Sequence, residues 1–211
     1  MMKEKRIVLL KEIKKNKYKY MFLITIILIG FIMGIIFSNI LSYNDHQQIS
    51  EVLKKYFLGL KNNQDINYLN NFINNFSVNY LYMLAIWIFG LSIIGIILNP
   101  FILYLKSFII GLSAGVIIST YGFIGIIGVI LYIFPHVLIN LIVYLLLSFY
   151  GIKLSINLFK TLFLKKNFNS SEFMHKYLVI LGLSALILLI TTLYETFLAD
   201  FVMKLFTILL K

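Results

Sequence analysis

The sequence predicts an all-α, polytopic integral membrane bundle of five transmembrane helices, with the N-terminus cytoplasmic and the C-terminus outside. Three observations predict it. Hydrophobic residues make up 61% of the 211 and charged residues only 13%, about half the charged share of ordinary soluble domains. Apolar runs long enough to cross a bilayer, about 20 residues each, recur along the whole chain. The 19 lysines and arginines fall mainly beside those runs, where they set orientation and meet anionic lipid. A net charge of +11 would suggest nucleic acid for a soluble protein; this placement excludes that partner. No cysteine is present, so no disulfide framework or thiolate metal site is available.

The chain opens with a basic cytoplasmic head, 1–20, carrying Lys3, Lys5, Arg6, Lys11, Lys14, Lys15, Lys17 and Lys19. No cleavable signal peptide is expected, because the first apolar run is long and lacks an A-x-A-like site. That run, 21–41, is the first span, about 31 Å as a helix, and its Gly30-x-x-x-Gly34 spacing offers a helix-contact face. Segment 42–78 is the one sizeable polar region. In it Ile49, Val52, Leu53, Tyr56, Phe57 and Leu60 fall at i, i+3, i+4, i+7, i+8 and i+11, an amphipathic helix. A weaker stripe of Ile66, Leu69, Ile73 and Phe76 follows among asparagines. This outer segment is too small for a catalytic domain. It lies on the membrane or offers an apolar face, Val52, Leu53, Tyr56, Phe57 and Leu60, to a partner.

The second span is 79–98, with Trp87, Gly90 and Gly95; Asn99-Pro100 then reads as a turn. Residues 99–140 are the packing centre. Lys106 and His136 are their only ionisable groups besides tyrosine, and five glycines, Gly111, Gly115, Gly122, Gly125 and Gly128, allow close helix approach. Regions 101–134 and 135–163 hold the third and fourth spans. The turn between them lies at Ser119–Gly122, which would leave Pro135 as a kink inside the fourth span, or at Phe134-Pro135. Residues 164–176 form a cytoplasmic loop, 177–199 the fifth span, and 200–211 an amphipathic tail. With the head inside, the inner segments hold 14 of the basic residues and the outer ones five (Lys54, Lys55, Lys61, Lys204 and Lys211), the asymmetry that the positive-inside rule requires.

Chemistry-bearing groups are sparse. His46, His136 and His175 lie in separate segments, and no HExxH, CxxC, P-loop or paired-carboxylate spacing occurs. Ser113, Ser119 and His136 are not read as an intramembrane serine hydrolase pair. No catalytic, cofactor-binding or metal-binding residue is expected, and the polar atoms are not expected to converge on one centre. His136 and Glu195 are the groups most costly to expose to lipid. Glu195, about 27 Å beyond Tyr177 along a helix, is placed near the outer end of the fifth span as an anchor to another span, a partner contact or part of an ion path. His136 is read as a hydrogen-bonding group at a helix break.

The order of these features resembles the stage II sporulation protein M family across nearly the whole chain. It runs from the basic head and Gly30-x-x-x-Gly34 through the outer segment to Trp87-x-x-Gly90. Lys106-Ser107-Phe108 with Gly111 and Gly115, Pro135-His136 and Leu193-Tyr194-Glu195-Thr196-Phe197 follow. Fuller members have a glycine after the Pro-His and a glutamate three residues later, where this chain has Val137 and Asn140. The resemblance implies a non-enzymatic membrane scaffold acting in forespore engulfment. Such a scaffold would localise two peptidoglycan-degrading partners, the sporulation proteins D and P, at the septal membrane. The alternative is a permease or channel-like subunit moving a small solute or ion, with the glycine-rich third span and Glu195 lining its path. Oligomeric state is not legible.

Overall fold

The computed structural model describes residues 16–42, 44–45, 47–52, 55, 67–133, 136–165 and 170–198. Regular structure among them is entirely helical. The long elements are α1 (Lys17–Ile40), α2 (Tyr68–Gly90), α3 (Gly95–Ile133), α4 (His136–Leu164) and α5 (Ser170–Phe197). All five are long and apolar enough to cross a membrane. Side chains such as Ile32, Ile97, Leu186 and Ile190 are exposed around the bundle, as a hydrocarbon solvent permits.

Several boundaries differ from the sequence expectation: α5 begins at Ser170, within the expected 164–176 loop, and the second span shifts at both ends. The asparagine-rich stripe does not stay outside the second span: Asn67 caps α2, its side chain accepting from the Asn70 amide at 3.1 Å, and the helix runs unbroken to Gly90. Helix α2 therefore starts earlier than expected and also ends earlier. The reversal falls at residues 91–94, where Ser92 Oγ donates to the Phe89 carbonyl at 3.0 Å. Asn99-Pro100, read as a turn, lies inside α3 instead. Pro100 forfeits only the bond to Ile96, beside a first turn in which Ile96 and Ile97 already donate to carbonyls three residues back.

Helix α3 breaks at Gly122, with φ 58° and ψ −135°, a conformation that glycine alone adopts cheaply. Gly125 then lies against the backbone of Ile117 and Ile118, so the chain doubles back there, and a second helical piece, 123–133, precedes His136. Of the two expected turn sites, Ser119–Gly122 holds a break, at Gly122; α4 is described from His136, and Phe134 and Pro135 lie outside the described residues.

Helix α1 packs along α3 through two glycine pairs. A Cβ on Gly30 would stand 2.7 Å from the Tyr104 carbonyl, and one on Gly34 would meet the backbone of Phe108, Gly111 and Leu112. Reciprocally, Gly111 faces the Phe31 backbone and Gly115 faces Ser38. The expected Gly30-x-x-x-Gly34 contact face therefore meets its counterpart in α3. Inside the bundle, Leu23, Met83, Ile86, Leu103, Val143, Leu147 and Leu188 form one core with Tyr144, Phe149 and Tyr177. Tyr20 stacks on Phe149 at 4.2 Å, which ties α1 to α4.

Candidate functional site

The polar groups do converge, contrary to the sequence expectation. A cavity of about 140 Å³ is lined by Asn79 of α2, by Lys106, Ile109, Ile110, Ser113, Ala114 and Ile117 of α3, by His136, Val137 and Asn140 of α4, and by Glu195 of α5. One end of the bundle brings them together. Asn79 is where α2 turns from asparagine-rich to apolar, His136 is the first residue of α4, and Glu195 lies two residues before the last of α5. Lys106 reaches this group from within α3. Such a gathering needs three long-range helix contacts, which no local sequence pattern encodes.

His136 is 2% exposed, and its Nε2 stands 3.8 Å from Glu195 Oε1, whose side chain is 18% exposed. Asn79 Nδ2 donates to Glu195 Oε2 and to Thr192 Oγ, each at 3.5 Å. The Tyr144 hydroxyl donates to the Asn79 carbonyl at 3.1 Å and lies 3.3 Å from its Oδ1. Beside them Thr191 donates to Asn140 Oδ1 at 2.6 Å. Glu195 is therefore held by long contacts, well beyond the 2.7–2.9 Å typical of a charge-assisted hydrogen bond. The Lys106 ammonium lies over the rings of Tyr82 and Tyr144, 4.4 and 5.9 Å from their centroids. Aromatic faces attract a cation but supply no acceptor oxygen along its N–H bonds.

The chemistry open to this site is limited. Ser113 Oγ donates to its own helix, to the Ile109 carbonyl at 3.0 Å, so its proton is engaged away from His136. Nucleophilic catalysis requires the base to take that proton. Among the described residues no group of three or more His, Cys, Asp or Glu side chains is placed to hold a metal ion. What the cavity offers is one cation, one carboxylate, an imidazole and two amides inside an apolar bundle.

The other expected positions serve packing. Trp87 stacks on Tyr177 at 6.4 Å, and the Tyr177 hydroxyl donates to the Trp87 carbonyl at 3.3 Å. Gly90 faces Gly151 and the Tyr177 hydroxyl, where any Cβ would collide, while Ser155 donates to the Gly90 carbonyl at 3.1 Å. Gly111 and Gly115 belong to the α1 contact. Of the outer face, Val52 is 67% exposed; Leu53, Tyr56, Phe57 and Leu60 lie outside the described residues, as does Pro135. Asn79, Tyr144, Thr191 and Thr192 were not singled out by sequence, and Asn140 entered only as the place where fuller members of the resembled family carry a glutamate. The available signal was an amide or hydroxyl inside an otherwise apolar run, since such groups need a partner in lipid.

The fold and cavity define a polytopic helical membrane protein with a polar centre enclosed by four of its five long helices. The chain belongs to the family described as Stage II sporulation protein M, whose model matches residues 22–200. The match takes in all five helices except the first residues of α1, and it makes the chain a sporulation membrane protein. No curated protein and no solved structure matches it.

Proposed function

We propose that the chain is a non-enzymatic scaffold of the septal membrane. In this reading it holds peptidoglycan-degrading enzymes, the sporulation proteins D and P, at their substrate while the mother cell engulfs the forespore. The observation that carries this reading is the use made of polar atoms. Asn79, Tyr144, Asn140, Thr191, Tyr177 and Ser155 bond between helices, and Ser113 is turned into its own backbone. That arrangement suits a rigid platform better than a reacting centre. Tethering an enzyme beside its substrate raises its effective concentration without any new chemistry. The outer segment is the proposed docking element, and its exposed Val52 lies on the apolar stripe.

The test is a photocrosslinker at Val52 in sporulating cells, combined with polar replacement of Val52, Phe57 and Leu60. The crosslinker is expected to capture a peptidoglycan-degrading enzyme. The triple variant is expected to insert normally and lose that enzyme on co-purification. Retention of the enzyme by the variant would refute docking through this segment.

The cavity supports a second reading, a permease or channel-like subunit, because ionisable groups inside a bundle commonly mark solute or ion paths. Purified protein in liposomes would then carry a flux that Glu195→Gln abolishes; no flux under any gradient would remove this reading.

A further inference from the structure

We propose that the cavity between α2, α3, α4 and α5 is a binding site for a small zwitterion, a molecule whose ammonium and acid groups are a few bonds apart. Lys106 and Glu195 line the same 140 Å³ space, yet no carboxylate of a described residue comes within 4.0 Å of the Lys106 ammonium. Among the described residues, that ammonium rests against the faces of Tyr82 and Tyr144. Among the described residues, Glu195 is met by Asn79 at 3.5 Å and by His136 at 3.8 Å. Two opposite charges kept apart in a shared apolar enclosure are each under-compensated, and isolated charge in such surroundings is costly. A ligand carrying an anion for Lys106 and an ammonium for Glu195 compensates both at once.

The neighbouring groups suit the same ligand. The Asn79 and Asn140 amides stand on the walls, and Ile110, Ala114, Ile117 and Val137 enclose a short apolar body. The volume is that of about four or five waters, which admits a ligand or headgroup of roughly the size of alanine. On the α3 side Ile109 and Ser113 are exposed, so a zwitterionic lipid headgroup can enter with its chains left in the bilayer. A free amino acid and an ethanolamine phospholipid headgroup thus share the required chemistry. This inference does not depend on the scaffold reading: partner capture at Val52 and ligand binding between Lys106 and Glu195 are separate measurements.

The experiment uses the full chain purified in detergent. Thermal unfolding and calorimetry with alanine are compared with acetate and ethylammonium, which each carry one of the two charges. Native mass spectrometry scores retained phosphatidylethanolamine against phosphatidylglycerol. Alanine binding identifies the free source; selective retention of phosphatidylethanolamine without alanine binding identifies the lipid source. In either case Lys106→Gln and Glu195→Gln are each expected to weaken binding at least tenfold, while Lys106→Arg retains it. Binding of neither ligand, or equal binding of acetate or phosphatidylglycerol, would overturn the proposal. The comparison of wild-type ligands decides even if a variant fails to fold.

Discussion

The contact between α1 and α3 makes the sharpest stability prediction, because its atoms cannot step aside. A methyl group added at Gly34 would lie 2.6 Å from the Leu112 amide nitrogen and 2.9 Å from the Gly111 carbonyl carbon. Both are backbone atoms, so no rotamer change relieves the overlap, and the helices must separate along the whole glycine face. Inserting a methylene into a packed interior costs about 1–3 kcal/mol. The better helix propensity of alanine returns ~1 kcal/mol, which leaves about 0–2 kcal/mol from those two terms; because the methyl meets several backbone atoms, the net loss for Gly34→Ala falls at the upper end, about 2 kcal/mol. Gly182→Ala is the control: nothing lies within 4 Å of a Cβ there, so only the propensity gain remains. Reversible unfolding in mixed micelles should show Gly34→Ala and Gly111→Ala destabilised and Gly182→Ala unchanged or slightly stabilised. The Gly34→Ala/Gly111→Ala double variant should fall short of additivity, because one separation relieves both clashes. A Gly34→Ala protein as stable as the parent would refute direct backbone packing between α1 and α3.

Three further outcomes follow from the polar centre and the charge pattern. Glu195→Ala removes the acceptor for Asn79 and the partner of His136, and should cost about 1–3 kcal/mol, the penalty of a stranded buried group. Adding Lys106→Met should recover part of that loss, since the second charge then no longer lacks an opposite; a strictly additive double variant in the same micelle assay would refute the coupling. The Asn140→Ala/Thr191→Val cycle should give a coupling of about 0.6 kcal/mol, and at most ~1.7, as double-mutant cycles between membrane helices do; a value near zero would show the 2.6 Å contact to be energetically silent. A reporter active only outside the cytoplasm should work when fused after Lys211 and fail when inserted between residues 165 and 170; the reverse pattern would overturn the inside placement of the basic head.

The spans were legible in the sequence because lipid demands long apolar runs irrespective of the neighbours a helix acquires. The Gly30-x-x-x-Gly34 contact was legible for a similar reason, since close approach leaves a local mark on the helix that makes it. Its counterpart, Gly111-x-x-x-Gly115, lies four-score residues further along, and only the fold pairs the two. Asn99-Pro100 misled because a turn signature counts the missing N–H as decisive. Here the proline sits near a helix start where one bond is a small loss. Asn140 and Thr191 illustrate what stays illegible: the family pattern marked the position of Asn140, but nothing in either apolar run announces the bond between the two. The expectation that polar atoms stay dispersed failed for the same reason, since chain distance between Asn79, His136 and Glu195 says nothing about their separation across the bundle.

Convergence itself does not make a catalyst, and the bilayer supplies a reason for it that requires no chemistry. Each polar group that must cross hydrocarbon lowers its cost by finding another, so His136, Glu195 and Asn79 would gather for stability alone. Lys106 breaks that economy. A lysine needed only for stability would snorkel to the nearest interface or close on Glu195, whereas this one rests against two tyrosine rings with the carboxylate across a cavity. The space kept between them is what distinguishes a site from a knot of mutual satisfaction, and it is why ligand binding, rather than bundle stability, is the property that separates Lys106→Gln from Asn140→Ala.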